Sequence, residues 1–118
     1  MVKMLEGGVA VDDRGQLSFV NDFDFKNVKR FYMVENHQLG FIRAWHGHKK
    51  EGKYVFVPNG AILIGCVNLE TEEIDKFVLS SSKSQVLYIP PGYANGFMNL
   101  QNNTKVMFFS TSTFEDSI

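Results

Sequence analysis

One cysteine, three prolines and three histidines are all that the chain's 118 residues hold of those types. A lone cysteine, Cys66, excludes a disulfide within the chain. Its setting, Ile-Leu-Ile-Gly-Cys-Val, reads as a thiol buried in a strand. Net charge is also lacking, with 12 Lys and Arg against 13 Asp and Glu. That removes the electrostatic case for nucleic acid or an anionic membrane as partner. A phosphorylated small molecule stays open, since it needs only a few local basic groups. No apolar run approaches the roughly 20 residues of a membrane-spanning helix. Residues 1–10 are short and mixed, unlike a signal peptide, so a reducing cytoplasm is the expected compartment. There is no Gly-x-Ser-x-Gly elbow and no glycine-rich phosphate loop. Repeats, linkers, low-complexity tracts and long amphipathic helical patterns are absent as well.

What is present is a β-forming chain. Eleven Phe and four Tyr accompany an apolar content of 44%, enough for the core of one domain covering 1–118. Gly7-Gly8 reads as a breaker. Strands are expected at 17–20, 28–34, 40–48, 53–57, 61–69, 74–79, 85–89, 93–100 and 105–111. Turns are expected at Asp12-Asp13-Arg14-Gly15, Pro58-Asn59-Gly60 and Gln101-Asn102-Asn103. The run at 61–69 is apolar almost throughout and reads as a strand buried on both sides. Eight or nine short strands with a turn about every ten residues predict an all-β sandwich, jelly roll or small antiparallel β-barrel.

The richest stretch is Arg43-Ala-Trp-His-Gly-His-Lys-Lys-Glu-Gly-Lys53, with two of the three histidines and the only tryptophan. On a strand, His46 and His48 point the same way, and Ala44 leaves room beside them. Two imidazoles that exchange protons near neutral pH would then share one wall. Gly40, five residues and His-x-His also open the cupin jelly-roll motif, in which the histidines help to hold a metal. Glu51 comes early for that motif's acid, and Asn95 stands where its third histidine belongs. Asn is a weak transition-metal ligand, so no metal is expected. A structural or surface histidine pair is the plainer alternative. Arg14, Arg43 and Lys53 each lie near glycine at a turn or strand end, and guanidinium forks match phosphate oxygens. Lys49 and Lys50 read as solvated surface. Tyr32 is either a general acid facing a pocket or a core tyrosine with a satisfied hydroxyl. Trp45, Tyr54, Tyr88 and Tyr93 read as core or pocket wall.

Two families resemble this set. Lys-Arg-Phe-Tyr-Met-Val at 29–34 and Ile-Arg-Ala-Trp-His-Gly-His-Lys-Lys at 42–50 look like the nucleotide-sugar 3,4-ketoisomerases. Asp-Arg-Gly-Gln-Leu at 13–17, Arg-x-x-His at 43–46, Gly-Lys-Tyr-Val at 52–55 and Leu-Tyr-Ile-Pro-Pro-Gly-Tyr-Ala-Asn-Gly-Phe at 87–97 resemble the dTDP-4-dehydrorhamnose 3,5-epimerase family. The likeness runs from about Val11 to Thr111. It implies a cupin-type jelly roll, a homodimer, no metal and no cofactor, and a 4-keto-6-deoxy sugar on a nucleotide as substrate, in deoxysugar and polysaccharide biosynthesis. It makes His46 the base and first histidine of the ketoisomerase pair, His48 the second, and Tyr32 the ketoisomerase tyrosine. Arg14 and Arg43 would hold the diphosphate or sugar, and Lys53 would face the keto oxygen. Asn95 joins them as a substrate-binding residue, standing where epimerases usually carry histidine. Phe108 stands where epimerases carry the tyrosine that reprotonates the carbanion, and their acid partner for the base would fall near or beyond the end of this chain.

The expected function is thus a dTDP-4-keto-6-deoxyhexose 3- or 3,5-epimerase. The alternatives are a 3,4-ketoisomerase, a sugar-nucleotide binding module without catalysis, and a small metal-dependent cupin.

Overall fold

A strand with apolar side chains at every second position has one face to cover, and two such sheets cover each other. The computed structural model describes residues 1–113, and these form eleven strands and no helix. They are β1 (Lys3–Glu6), β2 (Gly8–Asp12), β3 (Gly15–Phe19), β4 (Arg30–Val34), β5 (Ile42–His48) and β6 (Lys53–Asn59). β7 (Ala61–Asn68), β8 (Ile74–Ser80), β9 (Gln85–Ile89), β10 (Tyr93–Asn99) and β11 (Lys105–Ser110) follow. One sheet has the order β1-β9-β6-β11-β4 and a second β5-β10-β7-β8, while β2 and β3 pair only with each other. Every pairing is antiparallel. The expected all-β jelly roll is the fold that forms.

The core lies between the two large sheets. Val55, Leu87, Val106 and Phe108 of the first meet Ile62, Ile64, Cys66, Leu79 and Phe97 of the second. Side chains of this size each contribute about 1.5–3 kcal/mol on full burial. Cys66 is wholly buried, and burial pushes its thiol up to about 12. Gly60 turns β6 into β7 at a φ of +89°, where a Cβ would also run into Thr104. The Thr104 hydroxyl fastens the same corner by donating to Gln101 O at 2.7 Å.

Three expectations need correction. The breaker at Gly7-Gly8 is the junction of two strands: Gly8 opens β2, and the missed β1 pairs Leu5 with Val86 of β9. β7 is not buried on both sides. Ile62, Ile64 and Cys66 are fully enclosed, but Leu63, Gly65 and Val67 between them are half-buried. Trp45 is neither core nor pocket wall, since it is 55% exposed and lies over Gly65 on the outer face of the second sheet.

Candidate active site

The first sheet delivers one wall through plain alternation. On β4, Arg30, Tyr32 and Val34 point inward while Phe31 and Met33 point out. β11 sets Phe108 beside Tyr32, and Ser110 lies opposite Lys53 of β6. The second sheet departs from alternation where it matters. β10 places Tyr93 opposite His48 and Asn95 opposite His46, then the register shifts and Phe97 meets Arg43. This bulge leaves Ala44 and Trp45 facing Gly96, and it turns Arg43 to the side of the two histidines. Bulges beside functional sites commonly re-aim a side chain in this way. Gly96 permits it, since a Cβ there would stand 2.6 Å from that of Ala44.

Between these walls lies a cleft of about 280 Å³. Arg43, His46, His48, Asn95 and Phe97 come from the second sheet, and Arg30, Tyr32, Val34, Lys53 and Phe108 from the first. His46 is exposed and His48 half-buried, while Lys53 and Asn95 are buried at 7% and 4% exposure. Arg43 Nε donates to Asn36 Oδ1 at 2.6 Å.

Burial sets the proton affinities. It pulls the His48 imidazole below its usual value, helped by the charge of Lys53 and opposed by Glu51. It also lowers Lys53, with Glu51 again opposing. Tyr32 is pushed up to about 12, first by burial and then by Glu51. Near neutral pH the cleft therefore holds a neutral imidazole that can accept a proton and a phenol that keeps its own.

Six of the seven residues singled out in the sequence line this cleft: Tyr32, Arg43, His46, His48, Lys53 and Asn95. Arg14 does not. It sits on the turn of the β2–β3 hairpin, pairs with Asp12 at 2.7 Å, and lines a separate concavity with Ala10, Gln16 and Leu17. Sequence reasoning missed Arg30, Ser110 and the role of Glu51. Arg30 follows from alternation, since residues two apart on a strand share a face and Tyr32 is its neighbour at that spacing. Glu51 is buried beneath His48, with Oε1 3.1 Å from Nδ1. The place near the chain's end where the resemblance put an acid lies outside the described residues. No group of three or more His, Cys, Asp or Glu suited to hold a metal occurs among the described residues.

The model of the dTDP-4-dehydrorhamnose 3,5-epimerase family matches residues 2–117. The chain belongs to that family. Its solved relatives include the family's epimerase from Bacillus anthracis with TDP and PPi bound, 25% identical at a TM-score of 0.85, with 98% of this chain and 75% of that one aligned. The 3,4-ketoisomerase QdtA from Thermoanaerobacterium thermosaccharolyticum, a histidine-to-asparagine mutant with TDP-4-keto-6-deoxyglucose, is 20% identical at a TM-score of 0.80, over 96% of this chain and 81% of that one. The rmlC epimerase of Mycobacterium tuberculosis is 21% identical at a TM-score of 0.83 over 96% of this chain. This chain spans only 64% of that epimerase's length. No curated protein matches the chain in sequence. Family members are sugar-nucleotide isomerases, and epimerases and ketoisomerases share the fold seen here.

Proposed function

We propose that this chain is a nucleotide-sugar epimerase that removes the proton α to the ketone of a dTDP-4-keto-6-deoxyhexose, without metal or cofactor. One observation carries the reading: proton-accepting and proton-donating groups reach the same cleft from opposite sheets, His46 and His48 on β5 and Tyr32 on β4. Inversion at carbon needs this arrangement, since the proton leaves on one face of the sugar and returns on the other. A histidine takes the C3 proton, and the electron pair moves onto the C4 oxygen. Lys53, buried in the cleft, stabilises that oxyanion. Tyr32 returns a proton from the other side. Arg43 and Asn95 hold the substrate. The ligands bound by the relatives, TDP and a TDP-4-keto sugar, support this substrate class.

Incubation with dTDP-4-keto-6-deoxyglucose in D₂O tests the proposal. Deuterium should enter at C3, and His46→Ala together with His48→Ala should stop it. No exchange with any nucleoside-diphosphate 4-keto sugar would sink the reading. The 3,4-ketoisomerase is the second reading, favoured by Phe108. Without a phenol at that position, two neighbouring imidazoles could pass protons between C3, C4 and their oxygens on one side of the ring. A carbonyl at C3 of the product, seen by NMR, would select it.

The working unit is a homodimer in the cytoplasm, serving deoxysugar and polysaccharide biosynthesis. Every residue of the β2–β3 hairpin except Gly8 is exposed, including Val11 at 73% and Leu17 at 65%. Such a hairpin is stable when it packs on something larger, and a second copy would bring Arg14 to a cleft it does not reach in its own chain. Mixing inactive Arg14→Ala and His48→Ala subunits should restore activity. Mixtures as inactive as their parents would refute this arrangement.

A further inference from the structure

Glu51 follows β5 in the turn that leads to β6, and it is 4% exposed. A carboxylate removed from water needs partners. The Ser110 hydroxyl donates to Oε2. Arg30 Nη2 stands 3.9 Å from the same oxygen. The remaining oxygen, Oε1, takes no well-aligned hydrogen bond among the described residues, and Nδ1 of His48 lies 3.1 Å away. His46 has no carboxylate at ion-pair distance among the described residues.

The backbone around Glu51 is fastened on both sides. Gly52 N donates to Thr111 Oγ1 at 2.9 Å, and Thr111 N donates back to Gly52 O at 3.0 Å. Ser112 N donates to Ser110 Oγ at 3.1 Å, which fixes the hydroxyl that holds the carboxylate. His48 is fixed as well, its carbonyl accepting from Gly92 N at 2.8 Å. Imidazole and carboxylate are thus held by two independent anchors, and their contact does not depend on a flexible loop.

We infer that Glu51 is the positioning residue for His48: it keeps the proton on Nδ1, leaves the Nε2 lone pair free for the substrate, and makes His48 the base of the histidine pair. The inference rests on the proton-transfer reading above, and it moves to His48 the role that the family resemblance gave to His46. An acid on one imidazole nitrogen selects the tautomer and stabilises the imidazolium formed when the other nitrogen takes a proton. The surroundings make that help necessary. The other groups that act on His48 are Lys53 from β6, His46 from β5 and Arg30 from β4, and all three oppose a second proton on the ring. Glu51 is the group that favours it. Without Glu51, a half-buried imidazole among basic neighbours would be a poor proton acceptor.

The test uses the full chain labelled with ¹⁵N and needs no substrate for its first arm. Ring nitrogen shifts of the unmutated protein should show His48 as the Nδ1–H tautomer above its titration. Glu51→Gln, which keeps the shape and the Ser110 contact, should lower the His48 titration midpoint. In the second arm, Glu51→Gln should cut kcat for C3 exchange on the order of 10²-fold with little change in KM. Glu51→Asp, which keeps the charge, should recover part of the loss. If Glu51→Gln does not fold, Ser110→Ala should loosen the carboxylate and move the His48 midpoint the same way. An Nε2–H tautomer in the unmutated protein, or an unmoved His48 midpoint in a folded variant, overturns the inference. A lower melting temperature with unchanged midpoint and kcat would make Glu51 merely structural, which also overturns it. Absence of exchange in the unmutated protein sinks the epimerase reading, while the tautomer still decides the Glu51–His48 contact.

Discussion

Phe108 stacks on Tyr32 with ring centroids 5.2 Å apart and planes 13° from parallel. The two are register partners on β11 and β4, so a phenol missing from one strand stands on its neighbour. Arg30 covers the Tyr32 ring, its guanidinium carbon 4.7 Å from the centroid. The phenol is thus held in place by an aromatic and a cation. Tyr32→Phe should keep that packing and remove only the hydroxyl that donates the proton. Product formation should fall by about 10²–10⁴-fold, the usual worth of a general acid. Deuterium entry at C3 should fall much less, because the histidine base, once its proton has exchanged with solvent, can return a deuteron to the face it deprotonated. NMR of one reaction mixture reads both rates. Equal loss in both would remove Tyr32 from the reprotonation step.

The depressed proton affinity of His48 gives a stability prediction with a definite sign. The unfolded chain takes up a proton near pH 6.5, the ordinary value for histidine. The folded chain takes it up only at lower pH, because burial and Lys53 oppose it. Between those two values the unfolded state binds more protons, so stability falls with falling pH and levels off below the folded value. Melting temperatures from pH 8 down to pH 5 should show this loss. His48→Gln should show a shallower one, and identical slopes would contradict the sign.

How much of this was legible depended on the range of the signal. Alternation along one strand is local, and it revealed the all-β fold, the shared face of His46 and His48, and the strand that carries Tyr32. β1 was hidden because two adjacent glycines resemble a break, while the pairing of Leu5 with Val86 is a contact across the whole chain. Strict alternation would put Arg43 on the opposite face from His46. The bulge that brings it back comes from β10 pressing Gly96 against Ala44, which no local window contains. Glu51 looked like a misplaced metal ligand because its partners, Ser110 and Arg30, approach from β11 and β4.

That bulge can be tested directly. Gly96→Ala places a Cβ 2.6 Å from Ala44 Cβ and 3.0 Å from Arg43 O, so β5 must shift. Overpacking of this kind costs about 1–3 kcal/mol. Arg43 should lose its aim, raising KM for the nucleotide sugar more than it lowers kcat. Urea unfolding and steady-state kinetics measure the two effects. Ala44→Gly in the same chain should relieve both, and failure of that rescue would detach Arg43 from the bulge.

Lys53 sets stability against function. Its ammonium lies among aromatic rings, 5.6 Å from the Phe108 centroid and 5.9 Å from that of Tyr32, in a side chain only 7% exposed. Burial lowers its proton affinity, so the folded chain holds this proton less tightly than the unfolded one. Stability should therefore rise with pH from the folded value up to the ordinary lysine value, and Lys53→Met should lack that rise. Methionine has similar reach and no charge to desolvate, so the variant should melt at or above the native temperature near pH 7. The oxyanion loses its cation, and exchange at C3 should drop by about 10²–10³-fold. A variant that melts lower and still turns over would place Lys53 in the scaffold, with Glu51 as the group that depends on it.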